Sequence, residues 1–483
     1  MNNKFLKHFL VIGSGTLISM IIGFLTTPII TRVVTPMEYG QFSIFTMYSS
    51  IALMVLCLGL DQALVRYFYE KETANYRRAL LFKCLKFPII GFVITVIIIL
   101  FLAFSGIFKF ELGFSLLILL GIYTFIQIIY RFSQLLVRLQ YKSKLYSMLG
   151  IIQKTVYVIL ALGMIYSQMF SGVMALTVAT VIAALVCLIV SIVAEKKIWN
   201  PKKILTSDCT ITQKELVKYA YPYVFSMGIA TLFQYIDKIS LNIYCTYEQV
   251  GIYSSTMTLV NVFAIIQTTF NTLWAPMSVE HYTKDKNDVS FYQKGNQIIT
   301  VVMFLTGFSL ILCKDIFAIL LGEKYREAAY ILPFLIFNPI MYTISETTVS
   351  GLVFLKKSNM QVAVSVGACL TNLVGNIILV PKLGCQGAAI STGISYIVLF
   401  SLRTILSNKY FYINFHLRKF YLITLIAVGY AFYNTFVQFN IVTVIGYIVC
   451  VTVLCLLYRD TVRFILNYSK KMIQNFTKGE FHK

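Results

Sequence analysis

Four ionisable residues stand deep inside long apolar stretches: Lys154, Asp237, Lys238 and Glu346. A charge at the centre of a bilayer costs at least about 2.5–3.5 kcal/mol, so residues of this kind are functional candidates by default. Their chemistry would be the holding of charge rather than catalysis. Lys154 offers an ammonium to an anion, while Asp237 and Glu346 offer carboxylates to Na⁺ or H⁺. Asp61 is a further carboxylate of this kind, and Arg32 and Arg66 are basic groups at the ends of the first two apolar blocks. Adjacent Asp237 and Lys238 point in different directions on a helix and are poor partners for each other. A plainer role stands beside each of these. Arg32, Arg66 and Arg138 also suit side chains that snorkel to headgroups, and Asp237 suits an ion pair that holds helices together.

Polar residues recur at helical spacing. Gln127, Arg131, Gln134 and Arg138 follow one another at 4, 3 and 4 residues; Asn338, Tyr342 and Glu346 at 4 and 4; Asn372 and Asn376 form a pair. Such stripes suit the wall of a hydrated cavity, although the asparagines equally suit hydrogen bonding between packed helices. His8, His281, His416 and His482 have no metal-ligand spacing, and the ten cysteines form no CxxC pair. They read as small packing residues. No GxxxxGK[ST] segment exists, which argues against ATP-driven work by this chain alone. No cofactor is expected; Na⁺ or H⁺ is the candidate coupling ion.

The elements that must position these groups follow from composition. Of 483 residues 58% are hydrophobic and 12% charged, about half the roughly 25% charge of soluble domains. Blocks such as Phe87 to Phe108 and Phe170 to Ala194 exceed the roughly 18 residues that mark a membrane span. Lipid offers the backbone no partners, so these blocks must be helices. The fold class is all-α and polytopic. Fourteen helices are expected near 10–30, 41–63, 88–106, 113–130, 146–166, 170–194, 216–241, 250–278, 296–313, 329–354, 360–380, 386–402, 420–434 and 440–458.

The net charge of +22 would suggest nucleic acid in a soluble chain, but here the basic residues fill short loops between apolar blocks. With the N-terminus inside, 33 of the 41 Lys and Arg fall on inner segments and six on outer loops. One missed or invented helix would invert every later loop and destroy that asymmetry. Both termini are therefore expected in the cytoplasm, Leu10 to Ile30 being a retained first helix rather than a cleaved signal.

A weak internal repeat appears. Gly40 in the turn after the first helix and Gly251 in the turn after the seventh lie 211 residues apart, and Gly172 and Gly387 lie 215 apart. Two six-helix halves entering the membrane in the same direction would be parallel repeats with a cavity between them. The expected organisation is an N-terminal lobe at 1–195, a cytoplasmic connection at 196–215 and a second lobe at 216–407. Helices 13 and 14 follow at 408–458, then a basic tail at 459–483.

Several segments carry a family resemblance. Thr31-Arg32-Val33-Val34-Thr35-Pro36-Met37-Glu38-Tyr39-Gly40 resembles the first-loop signature of bacterial polysaccharide repeat-unit flippases. Leu58-Gly59-Leu60-Asp61-Gln62-Ala63-Leu64-Val65-Arg66-Tyr67 resembles their second-helix motif. Tyr219-Ala220-Tyr221-Pro222 with Asp237-Lys238, then Val250-Gly251-Ile252-Tyr253-Ser254 and Trp274-Ala275-Pro276, is similar to the start of their second half. Asn372 to Asn376, Val380-Pro381-Lys382-Leu383-Gly384 and Gly387-Ala388-Ala389 resemble their turn between helices 11 and 12.

The resemblance implies the oligosaccharide branch of the multidrug/oligosaccharidyl-lipid/polysaccharide exporter superfamily. It implies a V-shaped, two-lobed protein in the bacterial plasma membrane. Such a protein would move undecaprenyl-pyrophosphate-linked oligosaccharides from the inner to the outer leaflet by alternating access. Basic cavity residues would bind the pyrophosphate, a role carried here to Lys154, Arg66, Arg32 and Arg131; Asp61, Asp237 and Glu346 are the candidates for ion coupling. The partners implied are the lipid-linked oligosaccharide, membrane lipids and the polysaccharide polymerase machinery, with no nucleic acid. Two alternatives stay open. A multidrug antiporter of the same superfamily predicts about twelve helices and an acidic cavity. A membrane sugar polymerase needs catalytic residues on a sizeable outer loop, and the outer loops here are short.

Overall fold

The computed structural model describes residues 3–105, 113–200 and 209–477, and every regular element among them is a helix. The centre of the expected connection and the end of the basic tail lie outside the described residues. The chain forms two compact units, Met1–Lys238 with Thr246–Ser254, and Ile239–Cys245 with Ser255–Lys483.

The first unit contains α1 (Asn3–Val33), α2 (Pro36–Cys57), α3 (Leu60–Tyr67), α4 (Ala74–Phe104), α5 (Phe114–Leu139), α6 (Ser143–Tyr166), α7 (Gly172–Ala194), the single turn α8 (Lys196–Trp199) and most of α9 (Gln213–Tyr244). It also takes the first turns of α10 (Tyr247–Val260). The second unit holds the rest of α10, α11 (Ala264–Lys284), α12 (Ser290–Leu312), α13 (Lys314–Leu321), α14 (Ala328–Leu335), α15 (Phe337–Thr348) and α16 (Ser350–Phe354). It continues with α17 (Ser358–Asn408), α18 (Leu417–Phe436), α19 (Ile441–Leu457) and α20 (Arg459–Thr477).

Among the described residues nine helices are long and apolar enough to cross a membrane, or up to eleven if each of two bent pairs makes one span. Every one of the fourteen expected segments falls on a helix or a run of helices. The expected second segment is broken at Leu58-Gly59, both in the left-handed region (φ 49° and 69°). The expected eleventh and twelfth lie together on α17, a 51-residue run whose helical geometry fails at Gly384 (φ 56°, ψ −132°).

The motif residues make local structural sense. Thr35 caps α2: its hydroxyl accepts from the Glu38 N–H at 3.3 Å, and Glu38 Oε2 accepts from the Thr35 N–H at 3.0 Å. Pro36 supplies the first helical φ. Glu38 Oε1 also accepts from the Gly172 N–H at 2.8 Å, tying the start of α7 to the start of α2. Hydroxyls inside the apolar helices bond back to carbonyls one turn earlier, as Thr26, Thr27 and Thr31 do along α1. Each of these three hydroxyls is thereby satisfied within its own helix.

The first unit's core gathers α3, α4, α5 and the beginning of α9, where Leu60, Leu64, Phe68, Leu80, Phe132, Leu136 and Leu216 are buried. Basic residues that the sequence assigns to an inner loop stitch the connection to this core. Lys83 Nζ donates to the carbonyls of Cys209 and Ile211, each at 2.8 Å, and buried Arg78 donates to the Lys197 carbonyl. In the second unit Phe304, Phe308, Phe400 and Phe420 pack on one another, the last two stacked at 4.0 Å.

Candidate functional site

Lys154 is placed by a ladder of small residues. A Cβ on Gly15 would stand 2.2 Å from Ser147 Cβ, one on Gly150 would stand 3.0 Å from Ser19 Oγ, and one on Gly23 would stand 4.0 Å from Lys154 Cε. Residues 15, 19 and 23 of α1 thus meet 147, 150 and 154 of α6 in step, the close approach that small residues permit between membrane helices. The missing side chain at Gly23 leaves room for the lysine stem. Lys154 is exposed and makes no hydrogen bond or ion pair among the described residues. Its ammonium is available to an anion.

Asp61 is set by the Leu58-Gly59 break, which restarts the helix so that Asp61 falls in the first turn of α3. A Cβ on Gly59 would come within 2.6 Å of the Ala220 carbonyl, so the break also lets α9 approach closely. Buried Asp61 accepts at Oδ2 from Arg131 Nη2 (2.8 Å), Arg131 Nε (3.2 Å) and Gln62 Nε2 (3.0 Å). Its Oδ1 is buried without a hydrogen-bond partner. Arg131 keeps its outer edge accessible, as do Gln127, Gln134 and Arg138 of the same stripe, while Ile128, Tyr130, Phe132 and Leu135 between them are buried. The polar stripe is the accessible side of the second half of α5; in the first half exposed Ile118, Ile122 and Phe125 lie on the opposite side.

The other basic candidates lie apart from this pair. Arg66 is exposed and, among the described residues, meets Glu70 at 3.8 Å and the Tyr67 ring at 5.5 Å. Arg32, in the last turn of α1, is exposed and makes no ion pair among the described residues.

Asp237 and Lys238 do part company, as their angular separation requires. Asp237 accepts from the Tyr253 hydroxyl at 2.7 Å, and Lys238 Nζ donates to Ser43 Oγ at 2.8 Å. Ser43 in turn donates to Ser254 at 2.7 Å. Ser43 and Ser254 are 211 residues apart, the offset of the glycine repeat. The glycines meet here too. A Cβ on Gly40 would lie 1.8 Å from the Tyr247 carbonyl oxygen, and one on Gly251 would lie 1.9 Å from that of Pro36. Pro36 and Tyr247 are again equivalent under that offset. Position i meets j, and the equivalent of j meets the equivalent of i, the pattern of a local two-fold axis.

In the second unit Glu346 is not free. Arg403 donates to Glu346 Oε1 and to Ser345 Oγ, each at 2.8 Å, and its guanidinium lies 4.8 Å from the centre of the Tyr342 ring. The sequence places Arg403 in an inner loop; α17 runs on to Asn408 and carries it into the helical bundle. Asn372 Oδ1 accepts from Ser391 Oγ at 2.7 Å, across a contact that Gly375 keeps tight.

Lys314 was also missed. Expected in an outer loop, it is fully buried and donates to the carbonyls of Asn434 (2.8 Å) and Val437 (2.7 Å), closing the C-terminal end of α18. Burial holds its ammonium below the ordinary lysine range. Among the described residues no group of three or more His, Cys, Asp or Glu could hold a metal ion.

Solved structures with the same architecture define the class. The lipid II flippase MurJ in an inward closed conformation aligns with a TM-score of 0.68 at 16% identity, covering 94% of this chain and 100% of that one. An inward-facing multidrug resistance MATE family transporter of the MOP superfamily aligns at 0.57 and 15% identity, covering 82% and 94%. The fold is the one that these two membrane proteins share. A family model described as polysaccharide biosynthesis protein matches residues 5–282, more than half of the chain, and the chain belongs to that family. The resemblance drawn from the motifs is thereby borne out. An uncharacterized membrane protein of Methanocaldococcus jannaschii, MJ1068, is 23% identical over 432 residues, 84% of each chain. The probable low-salt glycan biosynthesis flippase Agl15 of Haloferax volcanii is 22% identical over 219 residues, 44% of this chain and 45% of that one.

Proposed function

We propose that this protein is a flippase that carries lipid-linked oligosaccharides across the membrane for surface polysaccharide assembly. The observation that carries this reading is the exposed, unpaired Lys154 ammonium within an apolar helix of a polysaccharide biosynthesis protein. Lys154 would engage the pyrophosphate of an undecaprenyl-linked repeat unit, with Arg32 and Arg66 as further anion contacts. Arg131 would serve from its accessible edge while Asp61 neutralises and aims it.

The charge distribution supports fourteen crossings with both termini in the cytoplasm, two six-helix lobes and a final helix pair. Transport would proceed by alternating access, with no chemical step. An interior-negative potential favours the outward movement of two negative charges by roughly 5 kcal/mol per 100 mV; Asp237 would be the carboxylate for Na⁺ or H⁺ coupling. Polymerase machinery would receive the exported unit. A multidrug antiporter would need acidic groups for cationic drugs, and both Asp61 and Glu346 are neutralised by arginines.

Depleting the protein from its own cells tests the reading. Lipid-linked oligosaccharides should accumulate on the inner leaflet, out of reach of an external glycosidase. Accumulation of single units on the outer leaflet would instead assign the chain to polymerisation.

A further inference from the structure

Helix α20 has no part in the transport reading, and its geometry calls for a partner. The 17 residues of α19 rise about 26 Å, close to the roughly 30 Å of a hydrocarbon core, so α19 completes a crossing by itself. The chain then bends by 92° into α20. A helix turned through a right angle where the chain leaves the hydrocarbon runs along the membrane surface.

The sequence of α20 fits that position. Val462, Ile465, Leu466, Met472 and Ile473 recur at helical spacing. Arg459, Arg463, Lys470 and Lys471 are set against the single acidic residue Asp460. An amphipathic helix of low mean hydropathy with a basic face is the kind that lies in an interface rather than spanning it. Its first turn is anchored to the bundle, since buried Thr461 donates to Gln297 of α12 at 2.9 Å. Beyond that anchor Phe464, Leu466 and Tyr468 are 58%, 54% and 59% exposed, beside exposed Arg463. Phe464 and Tyr468, one turn apart with their rings stacked at 6.3 Å, line one margin of the apolar face and Leu466 the other; in water both margins would be costly. At a bilayer boundary they have a solvent.

We propose that α20 is an interfacial helix that binds an anionic lipid surface. Phe464 and Leu466, on the two margins of the apolar face, sit at the acyl boundary, and Arg459 and Arg463 pair with headgroup phosphates. The positive-inside reading puts this surface on the inner leaflet; the lipid contact itself does not depend on that reading or on what the protein transports.

The test uses the full chain carrying Phe464→Trp, or Leu466→Trp if the first does not fold, with the unmodified chain subtracting the two native tryptophans. It is reconstituted into vesicles of phosphatidylcholine alone or with a third phosphatidylglycerol. The added tryptophan should be quenched by brominated lipid, more strongly in the anionic vesicles, and shielded from aqueous iodide. Each basic residue near an anionic surface favours contact by about fivefold, so adding Arg459→Gln and Arg463→Gln should lower the embedded fraction markedly. Equal quenching in both vesicles would overturn the anionic preference. Ready access to iodide would show the face in water, and protection from both quenchers would show it covered by protein; either result overturns the proposal.

Discussion

The crossing of α2 and α10 can be probed with a single methyl group. In Gly40→Ala the new carbon would have to stand 1.8 Å from the Tyr247 carbonyl oxygen and 2.7 Å from its carbon, and in Gly251→Ala it would meet Pro36 at 1.9 and 2.8 Å. Ordinary contact begins near 3.4 Å, so the two backbones must separate by roughly 1.6 Å. Neither obstacle is a rotatable side chain. Overpacking of this kind costs about 1–3 kcal/mol, and the separation also breaks the Ser43–Ser254 and Lys238–Ser43 hydrogen bonds, at about 0.5–1.5 kcal/mol each. Each variant should therefore lose about 2–6 kcal/mol. Once one methyl has parted the helices, the second finds the space already open, so the double variant should cost clearly less than the sum of the singles. Reversible unfolding by titration with a denaturing detergent reads all four proteins. Gly429→Ala, which meets nothing within 4 Å, serves as the control and should be neutral or slightly stabilising. Single variants within 0.5 kcal/mol of the parent, or strictly additive costs, would refute the two-fold crossing.

Three other perturbations follow from the buried charges. Arg403→Ala should destabilise the second unit by about 3 kcal/mol, because it strands Glu346, whereas Arg403→Met with Glu346→Leu should recover most of that loss; thermal unfolding distinguishes them. Asp61→Asn should keep the side-chain shape while releasing Arg131, and a larger loss of stability than in Gln62→Ala, read in the same assay, is the expected result. Lys314→Met should expose the uncapped end of α18, costing about 1–3 kcal/mol, with faster amide exchange confined to Asn434–Val437 and their neighbours.

Much of this architecture is legible in residue order because lipid permits so few structures. Apolar blocks longer than a membrane is thick have to be helices, but their ends are less plain: the second helix, expected from residue 41, starts at Pro36, where Thr35 and Glu38 form a capping box. Depth is harder to read than helicity. Arg403 looks like a loop charge because its expected span ends at residue 402, and Lys314 looks like an outer anchor because it follows an apolar block. In each case the deciding partner, Glu346 or the carbonyls of α18, lies tens of residues away, and no local pattern announces it. The repeat behaves likewise. The 211-residue offset can be found by comparing turns, but that equivalent residues touch one another is a fact of packing. A scan for glycine and serine recurring together at one offset, as Gly40/Ser43 and Gly251/Ser254 do, is the signal that could have found it. Lys154 was legible because an isolated charge amid Ile, Val and Leu stands out on composition alone.

Lipid-linked oligosaccharide movement by the purified protein in sealed vesicles puts the role of Lys154 to the most direct test. Substrate labelled on its sugar and loaded in one leaflet should cross in the presence of the parent chain and of Lys154→Arg, faster when the potential favours outward movement of negative charge. Lys154→Ala should cross at least tenfold more slowly while unfolding at the parent's midpoint, since an unpaired charge-to-phosphate contact is worth about 1.5–3 kcal/mol. Undiminished crossing by a folded Lys154→Ala protein would contradict it.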